Sequence, residues 1–273
     1  MIRSKLRSGF WGPFVWLIGF QVWPMSSRSQ GPDADITCQH GSGEYKAEFS
    51  TGVSVEVGPM RKAAFAERVC TAKLVAKERV ISVVDDADQV SIDVLGADLG
   101  FGKPVVAFQI DPTGRGNNIE YQIYSLTRPS RLLYTLRGGH SYSAADTDLN
   151  GLVEIWTDDA TAVDGFEGVP RSEFDLPPAV VLRFEKGHLI DAGPEFVSYY
   201  DAQISKLRAQ FKERDFGEFK QSDGRLSLKT LGSEQELHRE IRTKVGVLEI
   251  VWSYLYSGRE EEAWAALKEL WPS

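Results

Sequence analysis

From Tyr45 to Phe184 the chain is divided into short runs of alternating apolar and polar residues, and no helical crossover lies between them. Val53–Val57, Val80–Val84 and Val90–Val94 alternate at period two, as half-buried strands do. Further strand-like runs follow at Val105–Ile110, Glu120–Leu126, Leu132–Leu136, Leu152–Trp156 and Val180–Phe184. Asp85-Asp86-Ala87-Asp88, Pro112-Thr113-Gly114, Gly138-Gly139, Asp164-Gly165 and Lys186-Gly187 supply the turns. Parallel neighbours need a connection of a dozen or more residues, so the pattern predicts an antiparallel sheet, sandwich or partial propeller rather than α/β. Ala63–Ala76 fits a short helix or a strand.

Beyond residue 195 the period changes. Tyr200, Ile204, Leu207 and Phe211 form one face of an amphipathic helix. Ser233-Glu234-Gln235-Glu236 has the form of a capping box, and Leu237, Ile241, Val245, Leu248 and Leu255 continue a helical face behind it. Gly246 weakens that helix by about 1 kcal/mol relative to alanine. Gly258 is a stop signal, and Glu260-Glu261-Glu262 suits the first turn of a last helix. The expected fold class is α+β: a mostly antiparallel β domain over 44–195, followed by a helical unit over 196–273.

The first residues read differently. Arg3, Lys5 and Arg7 precede an apolar run from Phe10 to Trp23, which has signal-peptide length and is short for a membrane span. Ser27 and Ser29 offer small residues for cleavage, so residues 1–29 are expected to be a signal peptide, with an uncleaved N-terminal anchor as the alternative. The expected location is extracytoplasmic, periplasmic or secreted in a bacterium, with membrane contact only through this segment if it is retained. The polar, glycine-rich stretch 30–43 reads as a linker. In an oxidising compartment Cys38 and Cys70 can form a disulfide; two buried free thiols are the other reading. With a net charge of −8 and no basic stripe, a nucleic-acid partner is not expected.

One loop carries recognisable chemistry. Asp146, Asp148 and Asn150 alternate, Gly151 permits a sharp turn, the Leu152 carbonyl takes the seventh position and Glu154 the ninth. Hard oxygen donors at this density suit Ca²⁺, as one structural ion at most. An Asx-rich turn without metal is the plainer reading. The twelfth position is Thr157, which excludes an EF-hand. A loop of form D-x-D-x-N-G-x-x-E entering a strand resembles the calcium hairpins of FG-GAP and VCBS repeats, the blades of integrin-type β-propellers. The resemblance spans about 90–195. It includes a degenerate copy from Gly96 to Phe108, where Gly102 lies 49 residues before Gly151 and Gly100 and Gly102 stand at ligand positions. The resemblance implies a hairpin-bracing ion at Asp146 and none in the earlier copy. Two blades do not close a propeller.

Leu248–Leu267 resembles the turn of a tetratricopeptide repeat, though a single turn reads more simply as an αα-hairpin. Its sharper reading is a protein-docking surface carrying Trp252, Tyr254, Tyr256 and Trp264. His40, His140, His188 and His238 have no metal-ligand spacing and read as surface or turn residues. Asp85-Asp86 and Asp158-Asp159 read as solvated acidic turns. No nucleophile elbow, phosphate loop or catalytic constellation is present. The expectation is an exported, non-enzymatic binding or structural protein with a calcium-braced hairpin. The alternative is a secreted hydrolase with unidentified carboxylates.

Overall fold

The computed structural model describes residues 36–61, 68–77, 79–116, 119–169, 171–174, 177–222, 224 and 233–272. The segment read as a signal peptide lies outside them. The chain is α+β: among the described residues, thirteen strands form three antiparallel sheets, with helices toward the C-terminus. The outer sheet has the order β2 (Tyr45–Glu48), β3 (Val53–Arg61), β4 (Arg68–Ala76), β5 (Arg79–Ala87). The central sheet is β1 (Ile36–Gln39), β6 (Gln89–Leu95), β7 (Val105–Asp111), β8 (Glu120–Ser125), β9 (Leu132–Leu136). The third is β10 (Tyr142–Ala145), β11 (Glu154–Asp158), β12 (Ala179–Glu185), β13 (His188–Asp191). Each sheet thus contains a four-strand meander whose neighbours in sequence are neighbours in space, as short turns dictate.

The central sheet is covered on both faces. Val106, Phe108 and Ile110 of β7 pack with Val53, Val55, Val57, Ala72 and Leu74 of the outer sheet. Val105 and Ala107 point the other way, into a cluster with Tyr142, Ile155 and Phe184 of the third sheet. This is why β7 departs from half-buried alternation and is buried almost throughout. In β6 the alternation inverts at a bulge between Ile92 and Val94: Val90 and Ile92 face the outer sheet, Val94 the third. The residue at the bulge, Asp93, is aimed inward. Its Oδ2 accepts the Tyr121 hydroxyl at 2.5 Å and the Ala144 N–H at 3.0 Å, joining β6, β8 and β10. Burial holds the Asp93 carboxyl above its usual value despite these bonds.

Two sequence readings change here. Ile36–Gln39, placed in a linker, is a strand: Ile36 pairs with Ile92 and Cys38 with Val90. Four residues among prolines and glycines give too short a period to register, yet buried Cys38 anchors them. Of the ambiguous 63–76 stretch, Arg68–Ala76 is strand β4, fixed between β3 and β5. A disulfide joins Cys38 of the central sheet to Cys70 of the outer one, with Cα atoms 5.7 Å apart. Closing that loop constrains the unfolded chain by about 3–4 kcal/mol in the chain-entropy treatment.

The far face of the third sheet carries the helices α1 (Ala160–Val163), α2 (Val197–Gln210), α3 (Glu213–Lys220), α4 (Glu234–Tyr256) and α5 (Glu260–Leu270). Trp156, Ala179 and Val181 of the sheet meet Phe196, Tyr199, Tyr200 and Tyr256. Behind them Ile204, Leu207, Phe219, Val247, Ile250, Ala263 and Ala266 form a separate helical core. Gly246 is explained by this packing: a Cβ there would lie 2.4 Å from the Phe211 ring, so the helix-propensity cost permits a close approach. Among the described residues no helix is long and apolar enough to cross a membrane.

Asp159 couples the third sheet to α4. Its Oδ1 caps α1 through the amides of Thr161 and Ala162, and its Oδ2 accepts the Tyr256 hydroxyl. Burial pushes this carboxyl up, but the bonds from Thr161, Tyr256 and Ala162 outweigh burial and hold it below its ordinary value. A depressed carboxyl contributes stability that is complete above the unfolded value near pH 4 and is lost as pH falls through the folded one. Asp159→Asn is therefore expected to flatten the acid limb of a pH–stability curve, measured by urea unfolding monitored through tryptophan fluorescence. An unchanged acid limb would contradict this role.

Candidate metal centre

The loop between β10 and β11 holds the residues singled out for Ca²⁺. β10 and β11 are paired from Tyr142↔Thr157 to Ala145↔Glu154, so the hairpin closes around residues 146–153. Asp146 receives the Asn150 N–H on Oδ1 and the Gly151 N–H on Oδ2, both at 3.0 Å. Leu149 and Gly151 take left-handed backbone conformations, with φ of 61° and 86°. Gly151 meets that demand without a Cβ, and Leu149 pays for it with a side chain 74% exposed to solvent. The loop is also fastened from its strand, since Trp156 Nε1 donates to Thr147 Oγ1 at 2.8 Å.

Carboxylate oxygens of Asp146, Asp148 and Glu154 lie within 4.8 Å of one another. Glu154, the first residue of β11, is fully buried. Its Oε2 accepts the Thr147 N–H at 2.9 Å, but its Oε1 has no hydrogen-bond partner. The neighbouring cation is Arg183, its cross-strand partner, whose Nη1 is 3.8 Å from Oε1. That guanidinium is committed elsewhere, with bonds of 2.7 and 2.9 Å to Glu195 and 2.9 Å to Glu185. Burial raises the Glu154 carboxyl, and the charges of Asp148 and Asp146 add to the rise. The Thr147 amide and Arg183 offset only part of it. A buried carboxylate oxygen lacking a donor is costly, and the donor set of these three carboxylates is one that could hold a hard cation.

The other two expected ligands are Asn150 and the Leu152 carbonyl. The Asn150 side-chain oxygen accepts the Leu152 N–H at 2.7 Å, and its nitrogen donates to Asp148 Oδ2 at 2.9 Å. Leu152 is exposed as the loop enters β11. The structure brings the three carboxylates together, and Asn150 stands beside them bonded to Asp148 and to the Leu152 amide.

The stretch read as an earlier copy of this loop forms the β6–β7 turn and the start of β7. There one oxygen of Asp98 takes the N–H groups of Gly100, Phe101 and Gly102. A further loop of this outline, between β7 and β8, was not evident from the sequence. Asp111 accepts the amides of Thr113, Gly114 and Gly116, and the Gly116 contact spans five residues, as does Gly151 to Asp146. Its alternate positions are Thr113 and Arg115, which hides the likeness when carboxylates are the search criterion.

Residues read as surface groups include a second cluster. His140 is buried, with Nδ1 2.6 Å from Asp158 Oδ2 and Nε2 3.2 Å from both oxygens of Asp164. The Asp158-Asp159 pair is thus engaged with His140, α1 and Tyr256 rather than solvated. Sequence separations of 18 and 24 residues follow no motif, so only the fold reveals the grouping. His40 lies at the surface against Asp88, and His188 and His238 are exposed. Of the four helical aromatics, Trp252 packs on Phe166 and Phe174, Tyr254 lies under Arg259, and Tyr256 binds Asp159. Trp264 alone of these is largely exposed, at 59%.

Compared with protein-family models, with curated proteins and with solved structures, the chain finds no match. Its functional reading therefore rests on the site chemistry. Glu154→Gln is expected to remove any Ca²⁺-dependent rise in melting temperature while leaving the calcium-free melting temperature unchanged or higher, because the buried charge is gone. Differential scanning calorimetry in calcium and in chelator measures both effects.

Proposed function

We propose that this chain is an exported, non-enzymatic binding or structural protein whose β10–β11 hairpin is braced by one Ca²⁺ ion. The observation carrying the reading is the fully buried Glu154, whose Oε1 has no hydrogen-bond partner and whose carboxylate clusters with those of Asp146 and Asp148. The FG-GAP and VCBS resemblance over about 90–195 supports a hairpin-bracing role for such an ion. The Cys38–Cys70 bridge accords with an oxidising, extracytoplasmic compartment. A hydrolase would be favoured by raised carboxyls gathered in a cleft. The raised carboxyls, Asp93 and Glu154, are instead in the sheet interior and the hairpin, whereas hydrogen bonds from Gln122 and Arg137 outweigh burial and hold Glu120 low. A protein partner at the helical end is offered Trp264 and Leu255, both exposed.

At a Ca²⁺ concentration about 100 times Kd, the ion stabilises the fold by about 2.7 kcal/mol, a rise of roughly 5–10 °C for a domain of this size. That rise is expected in the wild type and is expected to vanish in Asp148→Ala; identical wild-type melts in calcium and chelator would remove the site. Export is tested separately by N-terminal sequencing of the chain from fractionated cells. The expected mature protein starts after Ser29 in the extracytoplasmic fraction, and a cytosolic chain retaining Met1 would refute export.

A further inference from the structure

A cavity of about 620 Å³, within the range of small-ligand sites, opens beside the buried histidine and away from the calcium-type loop. Its walls include Pro112, Ile119, Glu120, Arg137, Thr161 and Asp164. Asp164 ends α1, and its own N–H bonds to the Ala160 carbonyl, so the backbone behind its side chain is fixed. The carboxylate is held from the protein side by His140 Nε2, at 3.2 Å from each oxygen. His140 is held in turn by Asp158, which takes both its backbone N–H and its Nδ1, each at 2.6 Å.

Asp158 alone is sufficient to secure the His140 loop to β11. The contact on the opposite ring nitrogen adds something different: it orients a carboxylate that is otherwise 43% exposed. Charge bookkeeping gives the polarity of the cavity. Arg137 is neutralised by Glu120, whose Oε1 lies 2.8 and 2.7 Å from its Nε and Nη2. The Asp158–His140–Asp164 chain carries one net negative charge if the imidazole is protonated and two if it is not. With both ring nitrogens protonated, Nε2–H holds the Asp164 carboxylate and the three groups keep one net negative charge beside the cavity, next to the apolar surfaces of Pro112 and Ile119. Among the described residues, the walls offer no aromatic platform of the kind that sugars stack upon.

We propose that this cavity binds a small organic cation bearing a primary ammonium or guanidinium group, with Asp164 as its anchor and His140 and Asp158 as positioning residues. The ligand's N–H donors take the Asp164 lone pairs turned from His140, and its carbon chain lies over Pro112 and Ile119. A charge-assisted hydrogen bond in a partly desolvated site is the strong kind, so removing the anchor charge has a measurable effect.

Isothermal titration of the full chain with putrescine and agmatine at low salt tests this, using 1,4-butanediol as the uncharged control. Kd values of roughly 10 µM to 1 mM are expected for the amines and no heat for the diol. Asp164→Asn, nearly isosteric and at a partly exposed position, is expected to weaken binding at least about tenfold. Arg137→Gln frees Glu120 and is expected to tighten it. Titrations in calcium and in chelator are expected to agree, which separates this cavity from the hairpin site. Absence of binding by the wild type up to about 10 mM, equal affinity in Asp164→Asn, or equal heats from the diol would overturn the proposal. So would an Asp164→Asn protein with a lowered melting temperature when the wild type binds no amine, because the histidine would then be only a fastener.

Discussion

The central sheet has no face of its own in water, and the other layers of the fold follow from that. Val105–Asp111 is apolar on both sides, so a layer must cover each: the β2–β5 meander on one, the β10–β13 meander on the other. The third sheet then presents Trp156 and Val181 on its far side, and the helices bury them. The result is a stack of four layers in which each is completed by the next. The outermost sheet ends the series with a polar face, where Glu56 pairs with Lys46 and Lys73.

Much of this order was legible from periodicity. The strand-like runs, Val53–Val57 and Leu132–Leu136 among them, lie within strands, and the last two helices begin after Ser233 and at Glu260, as the capping box and the acidic first turn indicate. Short elements escaped. Ile36–Gln39 owes its conformation to pairing with β6 and to a buried cysteine, neither of which has a local signal. The Asp93 bulge escaped because an inverted alternation looks the same as a continued one until the partner strand is known.

The two clusters of acidic chemistry differ in the same way. Asp146, Asp148 and Glu154 are within one turn of chain, so their convergence follows from loop geometry and can be read from spacing. His140, Asp158 and Asp164 are gathered by the β10–β11 pairing and by α1, and spacing says nothing of them. Within the loop, the Asn150 side chain accepts the Leu152 amide, a contact that spacing does not reveal.

The Cys38–Cys70 bridge has a mechanical meaning beyond its entropy. β1 is an edge strand of four residues, held to β6 along one side, which is the arrangement most easily peeled when a chain is pulled at its end. Because Cys38 is bonded to Cys70 near the start of β4, tension entering at Ile36 is passed covalently to a strand paired on both flanks. Peeling β1 past Cys38 would then require β4 to come away from β3 and β5 as well. The first strand of the fold thus works as a strap across two layers, and load on it is shared by the sheet behind.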